Sequence, residues 1–379
     1  MGTVVFQRAA RVLIWVCTLA LFSDCAGKSL NKDANDPQFL KEVPPELLKK
    51  FEVRDVPLPS PTPTPPPPAP PPLLPVTAKK RALPKKPSPR FTPDSFPSPV
   101  PSPAPSPPQP NFTPSPTAAS QNIETLYSPG FVTPHRRPAK DPIWIGEEHL
   151  FEITYFGMVA GLFSLKAMPY KMIQDRKVYH IWGNAVSSKV FGLFYRLNDT
   201  IETFMDYEGL YSHRFHVTLD ESKQTRDSLE LNDSENKKTF FWNRWNHKTK
   251  GYTEVKDFFP VIEFAQDSLS ALYYLRTLPL LPDTSVTFPV ISEGKYWEAQ
   301  VTVVRRELLK TTFGRTPSIV LQLETKYQGI LQKRGESFLW ISDDDRRIAL
   351  RLEAKVKIGT VVAVLRKFEP GISPTNSSQ

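Results

Sequence analysis

The chain has 379 residues with 41 prolines, and its formal net charge of +9 is unevenly spread. Residues 143–379 carry 31 Lys and Arg against 29 Asp and Glu, so they lack the strongly basic balance expected of a nucleic-acid-binding domain. Both cysteines lie within the first 25 residues. This placement excludes disulfides and cysteine-based metal sites from the rest of the chain.

Residues 1–25 have the pattern of a signal peptide. Two arginines precede an apolar run of 11 residues, Val12–Phe22, which is shorter than the roughly 20 residues that a membrane-spanning helix needs. The sequence after the run is similar to a bacterial lipoprotein processing site, in which the cysteine, here Cys25, is lipidated. Asp24 departs from that pattern, because a small residue is usual there. We expect export with lipidation at Cys25; plain secretion and a retained anchor are the alternatives.

A polar segment, residues 26–56, and a proline-rich region, residues 57–142, follow the leader. The proline-rich region contains the runs Pro61–Pro72 and Ser98–Pro110. Because proline fixes φ and removes backbone donors, such runs favour extended polyproline II. We interpret the region as a disordered spacer between an envelope anchor and a working domain, with weak contacts between its basic clusters and cell wall or acidic lipid. The alternative is a docking site for a partner that binds PxxP motifs.

Residues 143–370 show the period-two alternation of β-strands. In the clearest strand, Ala349–Ile358, apolar residues alternate with charged ones, which predicts one buried face and one solvent-exposed face. About a dozen such strands are predicted, one of them at Phe194–Met205, and an open sheet of that size tends to curl, split or close. The predicted fold is therefore all-β: a large curved antiparallel sheet or barrel, followed by a disordered tail at residues 371–379.

One helix is predicted within this sheet, at Asp267–Leu278. Asp267 or Ser268 is suited to cap its N-terminus, and two prolines follow its end. Its residues are apolar on nearly every side, which is typical of a buried helix. The sequence thus predicts a sheet that wraps around one interior helix.

Three stretches resemble a bacterial family known as domain of unknown function 3108. They are Phe151–Leu165, the helix Asp267–Arg276 and the segment Trp340–Ile348. One departure is Ala349, where proline would be more usual. The resemblance spans about residues 145–368 and implies an exported or envelope-associated β-rich domain. It brings no catalytic residues with it.

Aromatic residues are crowded between Phe191 and Phe264. A packed core explains such crowding in the simplest way, and an apolar cavity or groove for a lipid or peptide is the functional alternative. Trp245 is predicted to be exposed in a polar turn, Asn243–Lys250. The candidate ligand-binding residues are Phe194, Tyr195, Trp242, Trp245 and Tyr273.

The polar clusters predict no catalytic set, metal site or cofactor. Asp343–Asp345 is the densest acidic cluster, but it lacks the alternating ligand spacing of a calcium loop and adjoins two arginines. A solvated turn explains it better. His213 and His216 are three residues apart, and an odd offset on a strand points two side chains to opposite faces.

These observations favour a non-enzymatic cell-envelope protein that is exported to the periplasm, with anchoring at the outer membrane as an alternative. Its β domain would bind an apolar ligand or an envelope partner. The alternatives are a hydrolase of cell-wall or lipid material, supported by the location and by Asp343–Asp345, and a purely structural tether whose spacer sets its reach.

Overall fold

The computed structural model describes residues 43–57, 132–327, 330–331, 336–356 and 358–374. Within these residues the helices are α1 (Pro45–Lys50), α2 (Lys189–Gly192) and α3 (Ser270–Thr277). The strands are β1 (Arg54–Asp55), β2 (Ile145–Tyr155), β3 (Met158–Ile173), β4 (Arg176–Ser187), β5 (Asn198–Asp206), β6 (Ser212–Asp220), β7 (Gln224–Asp233), β8 (Lys238–His247), β9 (Gly251–Pro260), β10 (Ser285–Ser292), β11 (Lys295–Thr311), β12 (Gly314–Tyr327), β13 (Ile330–Leu331), β14 (Ser337–Ser342), β15 (Ala349–Lys355) and β16 (Thr360–Ile372). The predicted all-β class is confirmed.

The strands form one antiparallel sheet of 16 strands. Its order is β10-β11-β12-β14-β15-β16-β2-β3-β4-β5-β6-β7-β8-β9, with β1 beside β3 and β13 beside β12. Because β16 pairs with β2, the end of the chain joins its first long strand, and the two edges of the sheet are consecutive in sequence. The connection between those edges is hydrogen-bonded to β10: Gln266 N–H donates to Pro289 O at 2.9 Å, and Ile291 N–H donates to Gln266 O at 2.7 Å.

Alternation places one face of the strands inside the curved sheet. In β2, every second residue from Glu147 to Tyr155 is buried. In β15, Leu350 and Ala354 are buried, while Leu352 packs against the same core from a partly buried position. The inward side chains of β2–β5, β10–β12 and β14–β16 surround α3 and form the main core with it.

The interior helix is shorter than predicted. It runs from Ser270 to Thr277, because residues 267–269 form a turn in front of it. The Asp267 carboxylate accepts from the backbone N–H groups of Leu269 and Ser270, each at 2.8 Å. Asp267 therefore satisfies free donors at the start of the helix, as expected of a capping side chain. The buried position of the helix is also as predicted.

Two predicted local structures are wrong. A strand predicted at Phe194–Met205 begins only at Asn198, because residues 188–197 form α2 and a loop after it. The polar turn predicted at Asn243–Lys250 is strand as far as His247, and the turn takes up the three residues that follow. Polar side chains are accommodated in this part of β8 because they bond to groups on neighbouring strands, a contribution that sequence alternation alone does not show.

The outer face of the sheet is covered in one place by residues 43–57. Val43 and Phe51, which flank α1, are 1% exposed and pack against Ile173, Phe204 and Trp242 on the outside of the sheet. β1 then pairs with the end of β3. These residues pack with the β domain although they precede the proline-rich region in sequence.

Residues 132–144, before the first long strand, also pack on the sheet. The backbone N–H groups of Arg136 and Arg137 donate to Glu208 O at 2.9 and 3.1 Å. The Asp141 carboxylate accepts from the Tyr179 hydroxyl, and the Arg137 guanidinium lies 4.1 Å from the centre of the Tyr207 ring. The chain is thus held to the sheet both before the proline-rich region and at its last residues, 132–142, which were predicted to belong to the disordered spacer.

Candidate functional site

An apolar cavity of about 50 Å³ lies between α3 and the inner face of the sheet. It has room for a few water-sized spheres, so it holds a small apolar group rather than a whole lipid unless its walls move. The sheet and α3 contribute apolar side chains to its wall, and Arg351 adds one charged residue. The lining residues are Phe151, Phe163, Leu165, Ala271, Leu272, Leu275, Phe288, Val301, Leu323, Leu339, Ala349, Arg351, Leu352 and Ala363.

A buried ion cluster fixes the C-terminal end of α3. Arg276 Nη1 lies 2.5 Å from Glu147 Oε1, and Arg346 Nη2 lies 2.6 Å from Glu147 Oε2. Arg276 also donates to the backbone oxygen of Pro142 at 2.6 Å. Burial by itself would raise the pKa of Glu147, but the charges and hydrogen bonds of Arg276, with Arg346 nearby, hold it below its ordinary value. Glu147 is therefore ionised and paired in the folded protein.

A third arginine lies at the same end of the helix. Arg347 Nη1 donates to the backbone oxygens of Arg276 and Leu278, which are carbonyls that the helix leaves unsatisfied. The turn that carries Arg346 and Arg347 is shaped by Asp344, whose Oδ1 accepts from both of their backbone N–H groups at 3.0 and 2.9 Å. Two of the three stretches that resemble the family, Asp267–Arg276 and Trp340–Ile348, therefore contact each other. Their contact positions the helix that lines the cavity.

The five predicted ligand-binding residues do not form one site. Phe194 is 65% exposed on the loop after α2, whereas Tyr195 is buried. Trp242 packs with Val43 and Phe51 on the outer face of the sheet, and it donates its indole N–H to Glu254 Oε1 at 2.7 Å. Tyr273 is buried on α3, and its hydroxyl has no hydrogen-bond partner among the described residues.

Tyr195 and Trp245 are brought together by one polar network. The Tyr195 hydroxyl donates to Glu221 Oε2, and Gln224 Nε2 donates to the same oxygen at 2.5 Å. The Trp245 indole donates to Gln224 Oε1 at 2.8 Å. Trp245 is therefore half-buried with a satisfied N–H and is not the exposed turn residue that was predicted.

A carboxyl with a raised pKa adjoins this network. Asp199 is 4% exposed, and its Oδ1 accepts from the Asp220 backbone N–H at 2.9 Å. Burial, reinforced by the nearby charge of Glu221, raises the pKa of Asp199 to about 8. Burial also raises the pKa of Glu230, further along β7, to about 8. These groups make the β5–β8 side of the interior polar, in contrast to the side that lines the cavity.

The acidic cluster lies on a surface turn between β14 and β15. Asp343, Asp344 and Asp345 are all exposed; Asp343 pairs with Arg306 at 2.9 Å and Asp345 with Lys140 at 3.0 Å. No group of three or more metal-ligating side chains is found among the described residues. The position of the aspartates removes the main residue-level support for a hydrolase.

The two histidines that are three residues apart have separate partners. His213 Nε2 lies 3.0 Å from Asp206 Oδ2 in the buried core, and His216 Nε2 lies 2.7 Å from Asp227 Oδ1. Arg176 contacts the same Asp206 carboxylate. The separation of the two side chains is as predicted.

One feature that sequence reasoning missed is a group of exposed apolar side chains at one end of the sheet. We call this group the apolar rim; its members are 39–83% exposed. The signal in the sequence was the run of apolar residues in the β2–β3 turn and around α2, where polar residues are usual for loops. The rim consists of Phe156, Met158, Val159, Val190, Leu193, Phe194 and Ile358.

The fold and its interior helix define a β-barrel-like domain. A family model described as "Protein of unknown function (DUF3108)" matches residues 150–366, which is more than half of the chain. The protein belongs to this family, as the three sequence stretches indicated. A search of curated proteins returns no match.

Several solved structures are similar in part. A β-barrel-like protein of domain of unknown function DUF1849 from Brucella abortus is 8% identical, with a TM-score of 0.38, covering 60% of this chain and 98% of its own. A protein from Parabacteroides distasonis described as a candidate lipoprotein is 8% identical, with a TM-score of 0.29, covering 62% and 100%. A protein from Bacteroides fragilis described as a candidate exported protein with a YmcC-like fold is 12% identical, with a TM-score of 0.24, covering 61% of this chain and 98% of its own.

The helices in the described part of the chain were also compared with the length and hydropathy that a membrane span requires. None of them is long and apolar enough to cross a bilayer.

Proposed function

We propose that this protein is an exported, non-enzymatic cell-envelope protein whose β domain binds a small apolar ligand, or the end of a longer one, in the interior cavity. The observation that carries the proposal is the cavity itself: apolar side chains line nearly all of it, and it lies inside a sheet whose other interior side is polar. Ligand pockets of this kind are concave and mostly apolar.

The construction of the cavity supports a binding role. Its floor is α3, and that helix is fixed at one end by Glu147, Arg276 and Arg346 and at the other by Asp267. A fixed floor means that a ligand does not need to order the helix when it binds, which lowers the cost of binding. The small volume suits one apolar group, such as the end of an acyl chain.

Export to the envelope is part of the same proposal. Its support is the leader, in which an apolar run of 11 residues follows two arginines and precedes Cys25. The leader and Cys25 lie outside the described residues. Lipidation of Cys25 would attach the protein to a membrane; the test is incorporation of a fatty-acid probe in the wild type and its loss in Cys25→Ser.

Filling the cavity tests the ligand proposal. In Ala271→Leu, a larger side chain on α3 occupies the cavity, whereas Thr277→Leu adds an apolar side chain at a partly buried position of the same helix that does not line it. Binding of xenon to the full chain is measured by ¹²⁹Xe NMR, and co-purified apolar molecules are sought by native mass spectrometry.

We expect the wild type and Thr277→Leu to bind xenon and Ala271→Leu to bind at least tenfold more weakly. Equal xenon binding by all three proteins, with each folded to the same extent, contradicts a ligand site in this cavity. The two leucine variants match each other in side chain and helix, so a general change in helix packing would affect both.

A further inference from the structure

We propose that the end of the sheet that carries the apolar rim docks on the surface of an anionic lipid bilayer. The apolar side chains would enter the interface while lysines around them contact the acidic headgroups. This surface is distinct from the interior cavity, and the inference holds whether or not the cavity binds a ligand.

The rim is one continuous surface formed by three adjoining connections. The β2–β3 turn pairs through Tyr155 and Met158, and the start of β16 lies beside it, where Val361 pairs with Tyr155. The Tyr155 hydroxyl donates to Ile358 O at 2.7 Å. On the other side, Ser188, which caps α2, donates to Val159 O at 2.8 Å. These bonds place the β2–β3 turn between the other two connections.

The loop with the most exposed apolar side chains is firmly held. Ser188 Oγ accepts from Phe191 N–H at 3.1 Å, and the Tyr195 hydroxyl is bound to Glu221. Arg196 forms a bidentate ion pair with Asp220, in which Nη1 and Nη2 each donate to one carboxylate oxygen, at 2.9 and 2.8 Å. Leu193 and Phe194, between these fixed points, are 83% and 65% exposed. Their exposure is therefore imposed by an ordered loop, which lowers the entropic cost of burying them against another surface.

The charges around the rim fit an acidic partner. The β4–β5, β6–β7, β8–β9 and β10–β11 connections lie at this same end, as the strand registers require. The acidic residues of these connections are Glu221, which is buried, and Glu293, which pairs with Arg226 at 2.8 Å. Their basic residues are Lys189, Arg196, Lys223, Lys248, Lys250 and Lys295. Basic side chains beside exposed apolar ones are the combination that binds anionic membrane surfaces.

The opposite end of the sheet has a different character. It also exposes apolar side chains, including Leu281 and Phe313, but the turns there carry acidic residues. Lys237 and Lys140 already pair with Glu263 and Asp345. An acidic bilayer would repel this end. We therefore expect the rim, and not this end, to bind acidic lipid, and Leu281 serves as a matched control for Leu193. The acidic residues of these turns are Asp175, Glu208, Glu235, Glu263, Asp283, Asp343, Asp344 and Asp345.

The experiment follows the depth of single positions in the full chain. The sequence has two cysteines, so Cys17→Ser and Cys25→Ser give a background for one added cysteine at a time. Leu193→Cys and Leu281→Cys are labelled with the polarity-sensitive fluorophore NBD and mixed with vesicles of phosphatidylcholine alone or with phosphatidylglycerol added. Because both proteins keep the apolar leader, any attachment through the leader is the same in each.

We expect the label at position 193 to shift to shorter wavelength and to be quenched by lipid-embedded spin labels, in anionic vesicles and not in neutral ones. The label at position 281 should change little in either. Lys189→Ser with Lys248→Ser and Lys250→Ser should reduce the shift at position 193 at least severalfold. The proposal is overturned if position 193 does not respond, if both positions respond equally, or if neutral and anionic vesicles give the same response.

Discussion

The two ends of the sheet use their side chains in different ways. At the end where α3 finishes, Arg276 and Arg346 are paired with a fully buried glutamate, and another arginine covers helix carbonyls. At the other end, Leu193 and Phe194 stand in solvent on an ordered loop. The first end satisfies its buried polar groups internally and exposes Leu281 and Phe313 beside acidic turns, whereas the second exposes its apolar side chains beside basic residues. The comparison separates residues that hold the fold from residues that are available for contact.

Removing the buried negative charge should give the largest loss of stability. Glu147→Gln leaves Arg276 and Arg346 without their carboxylate, and breaking a buried pair by removal of one partner costs about 3–5 kcal/mol. The control is Glu148→Gln on the same strand, whose partner Lys166 is 3.4 Å away and whose side chain is 44% exposed. Such a surface pair contributes about 0–1 kcal/mol.

The measurement is the free energy of unfolding from urea titration of the two variants and the wild type. If Glu147→Gln costs no more than Glu148→Gln, the ion cluster does not hold the helix and the proposed difference between the ends is wrong.

A pH-dependent effect, smaller per unit of pH than the loss expected for Glu147→Gln, is expected beneath the rim. The pKa of Asp199 is raised by burial and by Glu221 to about 8, from an ordinary 3.8. Between these pH values the folded protein keeps a proton that the unfolded chain has lost. The contribution of Asp199 to stability is therefore complete below about pH 4, decreases as pH rises, and is lost above about pH 8, with a slope of at most about 1.4 kcal/mol per unit.

Asp199→Asn should remove this dependence. We expect the difference in melting temperature between the variant and the wild type to move in favour of the variant as pH rises from 5 to 8. Comparing the two proteins at each pH cancels the similar contribution of Glu230, which both retain. A difference that stays constant over this range would mean that Asp199 is not protonated in the folded protein.

The smallest effect on stability is expected at the rim. Leu193→Ser with Phe194→Ser changes side chains that are mostly exposed, and such surface changes are usually within about 0.5 kcal/mol each. The measurement is again urea unfolding. A loss comparable to that of Glu147→Gln would show that the rim packs within the fold and would end its interpretation as a contact surface.

Much of the fold follows from local patterns. The alternation around Leu350 and Ala354 predicts the inner face because the side-chain period of a strand is two. The apolar character of Ala271, Leu272 and Leu275 predicts a buried helix. These residues also line the cavity, so part of the candidate site was present in the pattern that revealed the core, although no single residue distinguished cavity from packing.

Other features depend on long-range contacts that sequence patterns do not contain. Trp245 was expected in an exposed turn, but Gln224, on the adjacent strand, satisfies its indole N–H. Phe194 and Tyr195 are adjacent in sequence, yet one is exposed and the other is buried, because the Tyr195 hydroxyl is bound to Glu221 in the interior. No local pattern around Glu147 indicates its ion cluster, because its two arginine partners lie 129 and 199 residues away.

The packing of residues 43–57 and 132–144 has a consequence for how the protein is attached. The chain pairs with the sheet up to Asp55 and bonds to it again from Arg136, so both sides of the intervening proline-rich sequence are attached to one body. If Cys25 is lipidated as proposed, the 17 residues 26–42 separate it from the domain, and a chain of that length spans at most roughly 60 Å. A protease cut among the prolines should leave two pieces that remain associated, because α1 and β1 keep their contacts. Deletion of prolines between Asp55 and Arg136 would not change the number of residues between Cys25 and the domain.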